Sequence, residues 1–378
     1  MNVKTRLVVS TTVVLALALA ALAVVISTVA AGQAREDGLR YAGSLAESEA
    51  ERVEAGVLRQ LQTAHDLGST LSVLAAGRKG DRVVADAVQA ELLTADPSLL
   101  GVWAAFEPNA FDGRDATHVT DPTSDATGRY ISYWFRDGAA TSVTALVDYE
   151  TPGAGDYYLL PRDEGVPVAI EPYSYEVAGK SVLITSLAVP IRVGDQVVGV
   201  AGVDVPLSAV SEQIAAIRPY EVGYALLVSE GGTVVASNRS ADVAGEAPEG
   251  PAAQVAAEAV STGEAAQRTV DGSDGPVVLV AAPVRVGGGQ NWTVVVEIPE
   301  SAILAGADSL RTTILVGAMV TMALAGVATL FVARRVMAPL DALRLRMEEI
   351  ADGDGDLTAR VDEARKDEIG RLGAAFNR

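Results

Sequence analysis

The chain has 378 residues, a formal net charge of -20 and no cysteine. Such acidity argues against nucleic acid or an anionic lipid surface as electrostatic partner, since either would repel it. Without thiols there are no disulfides, cysteine metal sites or thiol catalysis, so a folded part has to rest on a hydrophobic core.

Residues 7–31 form an uncharged apolar run, longer than the roughly 20 residues that cross a bilayer as helix. It also exceeds the roughly 7 to 15 apolar residues of a cleaved signal peptide, which favours an uncleaved anchor. Lys4 and Arg6 precede it, so residues 1–6 are expected in the cytoplasm. Residues 39–76 read as one long helix, with Val53, Val57, Leu61, Ala64, Leu67, Leu71 and Leu74 spaced by three or four. That stripe suits either a core-facing helix or a dimer seam. Strand-like runs follow at "LLGVWAAF" (99–106), "RYISYWF" (129–135), "SVLITSLAVPIRV" (181–193) and "QVVGVAGVDV" (196–205), separated by polar, turn-rich loops. A second set opens with the hairpin pattern "VGYALLVSEGGTVVASN" (222–238) and closes with "PVVLVAAPVRV" (276–286) and "NWTVVVEIP" (291–299). Residues 312–333 form a second membrane-length run, followed by Arg334 and Arg335, so both positive ends fall on the cytoplasmic side and the chain between the spans lies outside.

The two strand sets read as copies. Pro190-Ile191-Arg192-Val193-Gly194 is echoed by Pro283-Val284-Arg285-Val286-Gly287, and Asp204-Val205-Pro206 by Glu297-Ile298-Pro299, each at an offset of 93. A constant offset across separated matches points to duplication. Beyond the second span, Leu340, Leu343, Met347 and Ile350 are spaced as a helical seam, "DGDGDLTAR" breaks it, and Ile369, Leu372 and Phe376 begin another. The break nearly makes a calcium loop, with Asp352, Asp354 and Asp356 at positions 1, 3 and 5 and Glu363 at 12. Leu357 and Arg360 occupy positions that disfavour the ion. No metal and no cofactor is expected.

The segments "GYALLVSEGGTVVAS" and "VVGVAGVDVPLSAV" resemble the double Cache sensor domains of bacterial transmembrane chemoreceptors. The resemblance implies an α+β fold of two PAS-like modules on one long N-terminal helix, over residues 32–305, with a ligand-binding distal module (about 80–210) and a proximal module (about 211–305). Pro339 with the Gly-Asp-Leu-Thr and Asp-Glu-Ile-Gly segments makes residues 334–378 resemble a HAMP linker. It implies a homodimer that relays a signal through Pro339, Leu343, Met347, Ile350, Ile369, Leu372 and Phe376 to cytoplasmic signalling proteins. Such a chain is a membrane-embedded chemoreceptor, contacting lipid through its spans, and not itself an enzyme, the alternatives being the sensory part of a histidine kinase or of a cyclic-dinucleotide enzyme.

Residues 146–175 carry five tyrosines and six acids, and residues 101–205 hold 15 Asp plus Glu against 6 Lys plus Arg. Aromatic faces and carboxylates together suit an ammonium group. Candidate binding residues are Asp204, Glu171, Tyr173, Trp134, Tyr133, Tyr158, Tyr157, Asp148, Trp103 and Glu150, with Asp156, Tyr149 and Tyr175 nearby. Asp204 stands out because an Asp within "VVGVAGVDV" is costly to bury unpaired. Receptors of this family that take amino acids are expected to place an Arg two residues before an aromatic pair, as a carboxylate clamp. Here the pair is Trp134-Phe135 and the position holds Ser132, which favours a cationic amine. Arg129 leaves an amino acid possible, and the aromatics leave a purine possible. An extracellular hydrolase is disfavoured: His65 and His118 are the only histidines, neither with a serine motif or second histidine nearby, although a carboxylate pair remains conceivable.

Overall fold

A computed structural model describes residues 3–138, 140–177, 179–240, 242–351, 360–361 and 367–378. The chain divides into two compact units, one of Glu36–Ile303 and one of the terminal stretches Met1–Arg35 and Leu304–Arg378.

Helix α1 (Val3–Ala75) is continuous, so the apolar run and the amphipathic stretch are one element. In its second half Ala42, Ala46, Ala50, Val53, Ala64, Leu67, Leu71 and Ala75 are buried at intervals that keep them on one face. They belong to the core formed with both sheets, and Val57, Leu61 and Leu74 pack against its margin. The stripe is core-facing within this chain. Small residues let the sheets approach the helix: at Gly68 an added Cβ would lie 3.2 Å from Val189.

Helix α2 (Arg82–Ala95) starts where Asp81 accepts from the Val83 and Val84 amides. The first sheet follows: β1 (Gly101–Phe106), β2 (Ile131–Asp137), β3 (Ala140–Ala145), β4 (Val168–Ala169), β5 (Tyr173–Val177), β6 (Lys180–Val193) and β7 (Gln196–Pro206). Its order is β3-β2-β1-β7-β6-β4, with β5 also on β6, and every pairing is antiparallel. Helix α3 (Asp156–Glu164) lies between β3 and β4 in the chain. The long loop between β1 and β2 is held by Arg82, whose guanidinium donates to Asp112, Asp115, Ser124 and the Gly128 carbonyl. His118 joins that network through Asp112 and Asp121, while His65 is exposed on α1.

Helix α4 (Leu207–Ala215) leads to the second sheet: β8 (Tyr224–Val228), β9 (Val234–Ser237), β10 (Ala266–Gly272), β11 (Gly275–Gly287) and β12 (Gln290–Pro299), in the order β10-β11-β12-β8-β9. Helix α5 (Pro251–Thr262) buries Ala252, Val255, Ala256 and Ala259 with that sheet. The offset of 93 residues is reproduced in the hydrogen-bond register. Pro190 opposes Val200 as Pro283 opposes Thr293, and Ser186 opposes Asp204 as Leu279 opposes Glu297.

Helix α6 (Glu300–Ala351) runs without interruption and contains Pro339. Helix α7 (Glu368–Phe376) is capped by the Asp367 side chain. Together α1 and α6 supply two helices long and apolar enough to cross a membrane. The calcium-like acids Asp352, Asp354, Asp356 and Glu363, with Leu357, lie outside the described residues, as does the side chain of Ile350.

Candidate functional site

Side chains alternate across a strand, so each strand of the first sheet contributes to two different cores. Val102, Ala104 and Phe106 of β1 face the helices, whereas Trp103 and Ala105 join Tyr133, Phe135, Tyr157, Tyr175, Ile184 and Ala188 in a second core on the other face. Asp204 lies on this second face and is 2% exposed. Its Oδ1 accepts from the Trp103 indole at 2.9 Å and from the Ser186 hydroxyl at 2.6 Å. Ser186 is bonded in turn to the Tyr173 hydroxyl at 2.7 Å. The Tyr133 hydroxyl also acts on the carboxyl, yet it is buried without a hydrogen bond of adequate geometry.

Around this centre the rings close on one another. Trp103 meets Tyr157 edge-on at 5.2 Å, and Tyr157 lies parallel to Tyr173 at 6.3 Å between centroids. Tyr175 meets Tyr133, Tyr157 and Tyr173 edge-on. Two glycines make the arrangement possible: a Cβ at Gly101 would fall 2.4 Å from the Tyr133 ring, and one at Gly202 would fall 2.2 Å from the Trp103 ring. A cleft of about 160 Å³ between α3 and residues 170–173 opens onto Tyr157 and Tyr173, with Asp156 and Glu171 on its walls.

Electrostatically the centre is a lone acid among neutral groups. Burial pushes the Asp204 carboxyl above the usual carboxylate range, against the opposing pull of Ser186, Trp103 and the nearby Tyr133 hydroxyl, and among the described residues no arginine or lysine acts on it. Burial also raises Tyr175, to about 12, and raises Tyr133, Tyr157 and Tyr173 well above the ordinary phenol value, so all four stay protonated at neutral pH. The duplicated module differs at this point. Glu297, the counterpart of Asp204, is paired with Arg239 at 3.1 Å, and Arg239 is anchored by Asp242 at 2.9 Å.

Of the residues singled out in the sequence, Asp204, Trp103, Tyr133, Tyr157 and Tyr173 come together. Asp148 stays exposed, in the left-handed region at φ 55°, near enough to act on Tyr175. Trp134 does not join them: it follows Tyr133 in the strand, faces the helices, and donates to Asp86 at 3.3 Å. Glu171 is committed elsewhere, accepting from Ser229, the Gly231 amide and Thr233 of the second module. Glu150 is spent on Arg129 at 2.6 Å. Tyr158 belongs to the same aromatic core, but its hydroxyl turns to Glu107 and Arg129. Arg129 is 3% exposed and is held by the Phe106 carbonyl, Glu150 and Tyr158, so it is not free to reach a ligand at Asp204.

Ser132 points to the helices and donates to Gln89 at 2.9 Å, while the residue that precedes Tyr133 by two on the Asp204 face is Ile131. A cation is missing at either position. Sequence reasoning overlooked Ser186, Gly101 and Gly202; the alternation that separates Tyr133 from Trp134 was available in the strand pattern itself.

In the C-terminal helices Leu343 is buried, Ile369 and Phe376 are half-buried, and Met347 and Leu372 are exposed, 56% and 46% in this single chain.

The Cache domain model matches residues 18–307 and the HAMP domain model residues 331–378. The methyl-accepting chemotaxis protein TlpQ of Pseudomonas aeruginosa is 30% identical over 312 residues, covering 76% of this chain and 44% of TlpQ. The chain therefore spans less than half the length of that relative. Among solved structures, the extracellular domain of a protein designated histidine kinase mmHK1S-Z3 superposes with a TM-score of 0.64 at 30% identity, over 72% of this chain and 98% of that one. A structure named methyl-accepting chemotaxis protein X gives 0.60 at 25% identity, over 69% and 97%. On the extent of these matches and the duplicated sheets on one long helix, the chain belongs to the double Cache family and carries a HAMP linker.

Proposed function

We propose that this chain is the sensory and membrane-coupling part of a bacterial chemoreceptor, and that its distal module binds a small organic cation whose ammonium rests on Asp204. The observation that carries the reading is the contrast between the two modules. Glu297 has a tethered guanidinium beside it, whereas Asp204 is buried with no cation beside it among the described residues. A buried carboxylate without a counter-charge is costly, and a ligand that brings one removes the cost. Oδ1 already takes two hydrogen bonds, so Oδ2 and the buried Tyr133 hydroxyl oxygen are the acceptors left for an ammonium. Trp103, Tyr157, Tyr173 and Tyr175 offer ring faces and edges around it. An amino acid has less support, because its carboxylate would meet Ile131 and no free arginine.

In this reading residues 7–31 and 312–333 cross the membrane, residues 32–305 lie outside, and residues 334–378 lie in the cytoplasm. Ligand contacts made only in a closed state shift the module toward it, and HAMP helices paired in a homodimer pass the change to cytoplasmic signalling proteins. The exposed Met347 and Leu372 suit burial in such a dimer. The chain itself acts as a transducer rather than an enzyme. Thermal shifts of the full chain in lipid nanodiscs against ethylamine, butylamine, 1,4-diaminobutane and a set of amino acids test it. Stabilisation by amines supports the reading, and stabilisation by amino acids alone overturns it.

A further inference from the structure

Asp204 is 2% exposed, and the cleft beside α3 is walled by Tyr157 and Tyr173 without reaching the carboxyl. A ligand entering there meets Asp204 only when one of those rings gives way. Tyr173 ends a short segment, residues 166–173, that forms one wall of the cleft through Ile170, Glu171, Pro172 and Tyr173.

On the ligand side this segment is tied to the strand that carries Ser186. β4 pairs with β6 at Val168 and Ala169, the Ile170 amide donates to the Ser186 carbonyl at 2.9 Å, and Thr185 donates to the Ile170 carbonyl at 2.7 Å. The Tyr173 hydroxyl meets that of Ser186 at 2.7 Å, and Ser186 donates to Asp204.

On its other side the segment is held by two hairpin turns of the proximal module. β4 ends its sheet, and its Ala169 amide donates to Oε1 of Gln290, at the β11–β12 turn, at 2.8 Å. The same turn passes so close that a Cβ at Gly288 would lie 2.2 Å from the Pro167 carbonyl. At the β8–β9 turn, Glu171 accepts from Ser229, from the Gly231 amide at 2.8 Å and from Thr233 at 3.0 Å. Hydrogen bonds to a charged carboxylate are the stronger kind, so three of them make a firm attachment.

We infer that residues 166–173 are a strap that couples ligand entry to the proximal module, an inference that rests on Asp204 as the ligand anchor. The incoming ligand moves Tyr173 away from Ser186, the segment shifts with it, and Glu171 and Ala169 carry the shift to the two turns. Close-packed cores pass on such a displacement rather than absorb it.

The test is hydrogen–deuterium exchange of the full chain in lipid nanodiscs, without and with butylamine, with binding read separately by calorimetry. Bound butylamine is expected to change exchange about fivefold or more in residues 166–173, 224–238 and 284–292, the low end of ordinary coupling between sites. Ser229→Ala combined with Thr233→Val leaves the strap's own sequence intact and removes two donors to Glu171. That double variant is expected to bind butylamine as the wild type does, keeping the change in 166–173 and losing it in 224–238. Gln290→Ala is expected to lose the change in 284–292, and decides the matter if the double variant does not fold. Bound butylamine that leaves both turns unaltered in the wild-type chain overturns the inference, and so do equal changes in wild type and variants. Absence of calorimetric binding defeats the amine reading instead. The strap is then read without ligand: Tyr173→Ala is expected to raise exchange in 224–238 in the wild-type background and not in the double variant, and equal effects in both overturn it.

Discussion

Replacing Asp204 with asparagine removes the charge at the centre of the distal module and almost nothing else. The asparagine Oδ1 still accepts from Ser186 and Trp103, as the carboxylate oxygen does. What is lost is the counter-charge for a buried ammonium, and leaving one partner of a buried ion pair alone costs about 3 kcal/mol. At about 1.4 kcal/mol per decade, amine affinity falls roughly two orders of magnitude. The unliganded protein behaves in the opposite sense. Burial raises the Asp204 pKa, so between the ordinary value and the raised one the folded state holds more protons than the unfolded state. Stability contributed by this group is therefore fully present below the unfolded pKa and falls as pH rises through the folded pKa. Asp204→Asn abolishes that decline, so without ligand the variant melts at or above the wild-type temperature at neutral pH. For the same reason the wild-type chain binds amines more tightly as pH rises through the raised pKa, because binding requires the carboxylate. Titration calorimetry at several pH values and thermal melts of both chains read all of these effects. Amine affinity within a few fold of wild type in Asp204→Asn, or tighter wild-type binding as pH falls, refutes the anchor.

The remaining predictions test the walls of the site and its duplicate. Gly202→Ala drives a Cβ into the Trp103 ring, so amine binding is lost and stability falls by about 1–3 kcal/mol, seen in tryptophan fluorescence and denaturant melts. Glu171→Gln weakens the contacts to Ser229, Gly231 and Thr233, lowering stability by about 1–2 kcal/mol while amine affinity measured by calorimetry stays at the wild-type value. Arg239→Ala strands Glu297 and Asp242 and destabilises the chain by about 2–4 kcal/mol in chemical denaturation, and Glu297→Leu in the same chain recovers only part of the loss, because Asp242 stays unpaired.

Local pattern and internal repetition were enough to place the main elements. The three-and-four spacing from Val53 to Leu74 marks the inner face of α1, since helical periodicity is a local property. The 93-residue offset anticipated two sheets of matching register, because duplicated strands keep their neighbours. Asp204 was legible as an acid inside an apolar strand, and the structure buries it there. The alternation of strands also separates Tyr133 from Trp134, and counting along "YISYWF" suffices to see it.

Tertiary structure alone decided which acids and aromatics gather around Asp204. Glu171 and Asp156 look alike in the sequence, yet Glu171 is bound by Ser229 and Thr233, which lie 58 and 62 residues further along. Glu150 is taken by Arg129, 21 residues away, and Tyr158 by Glu107, 51 residues away. Contacts at such separations depend on how the modules pack, and no local pattern encodes them. The same holds for the missing cation at Asp204 and the tethered one at Glu297. Sequence shows two acids at equivalent positions of a repeat, whereas only the path of the chain through Arg239 and Asp242 brings a guanidinium to one of them and leaves the other uncompensated.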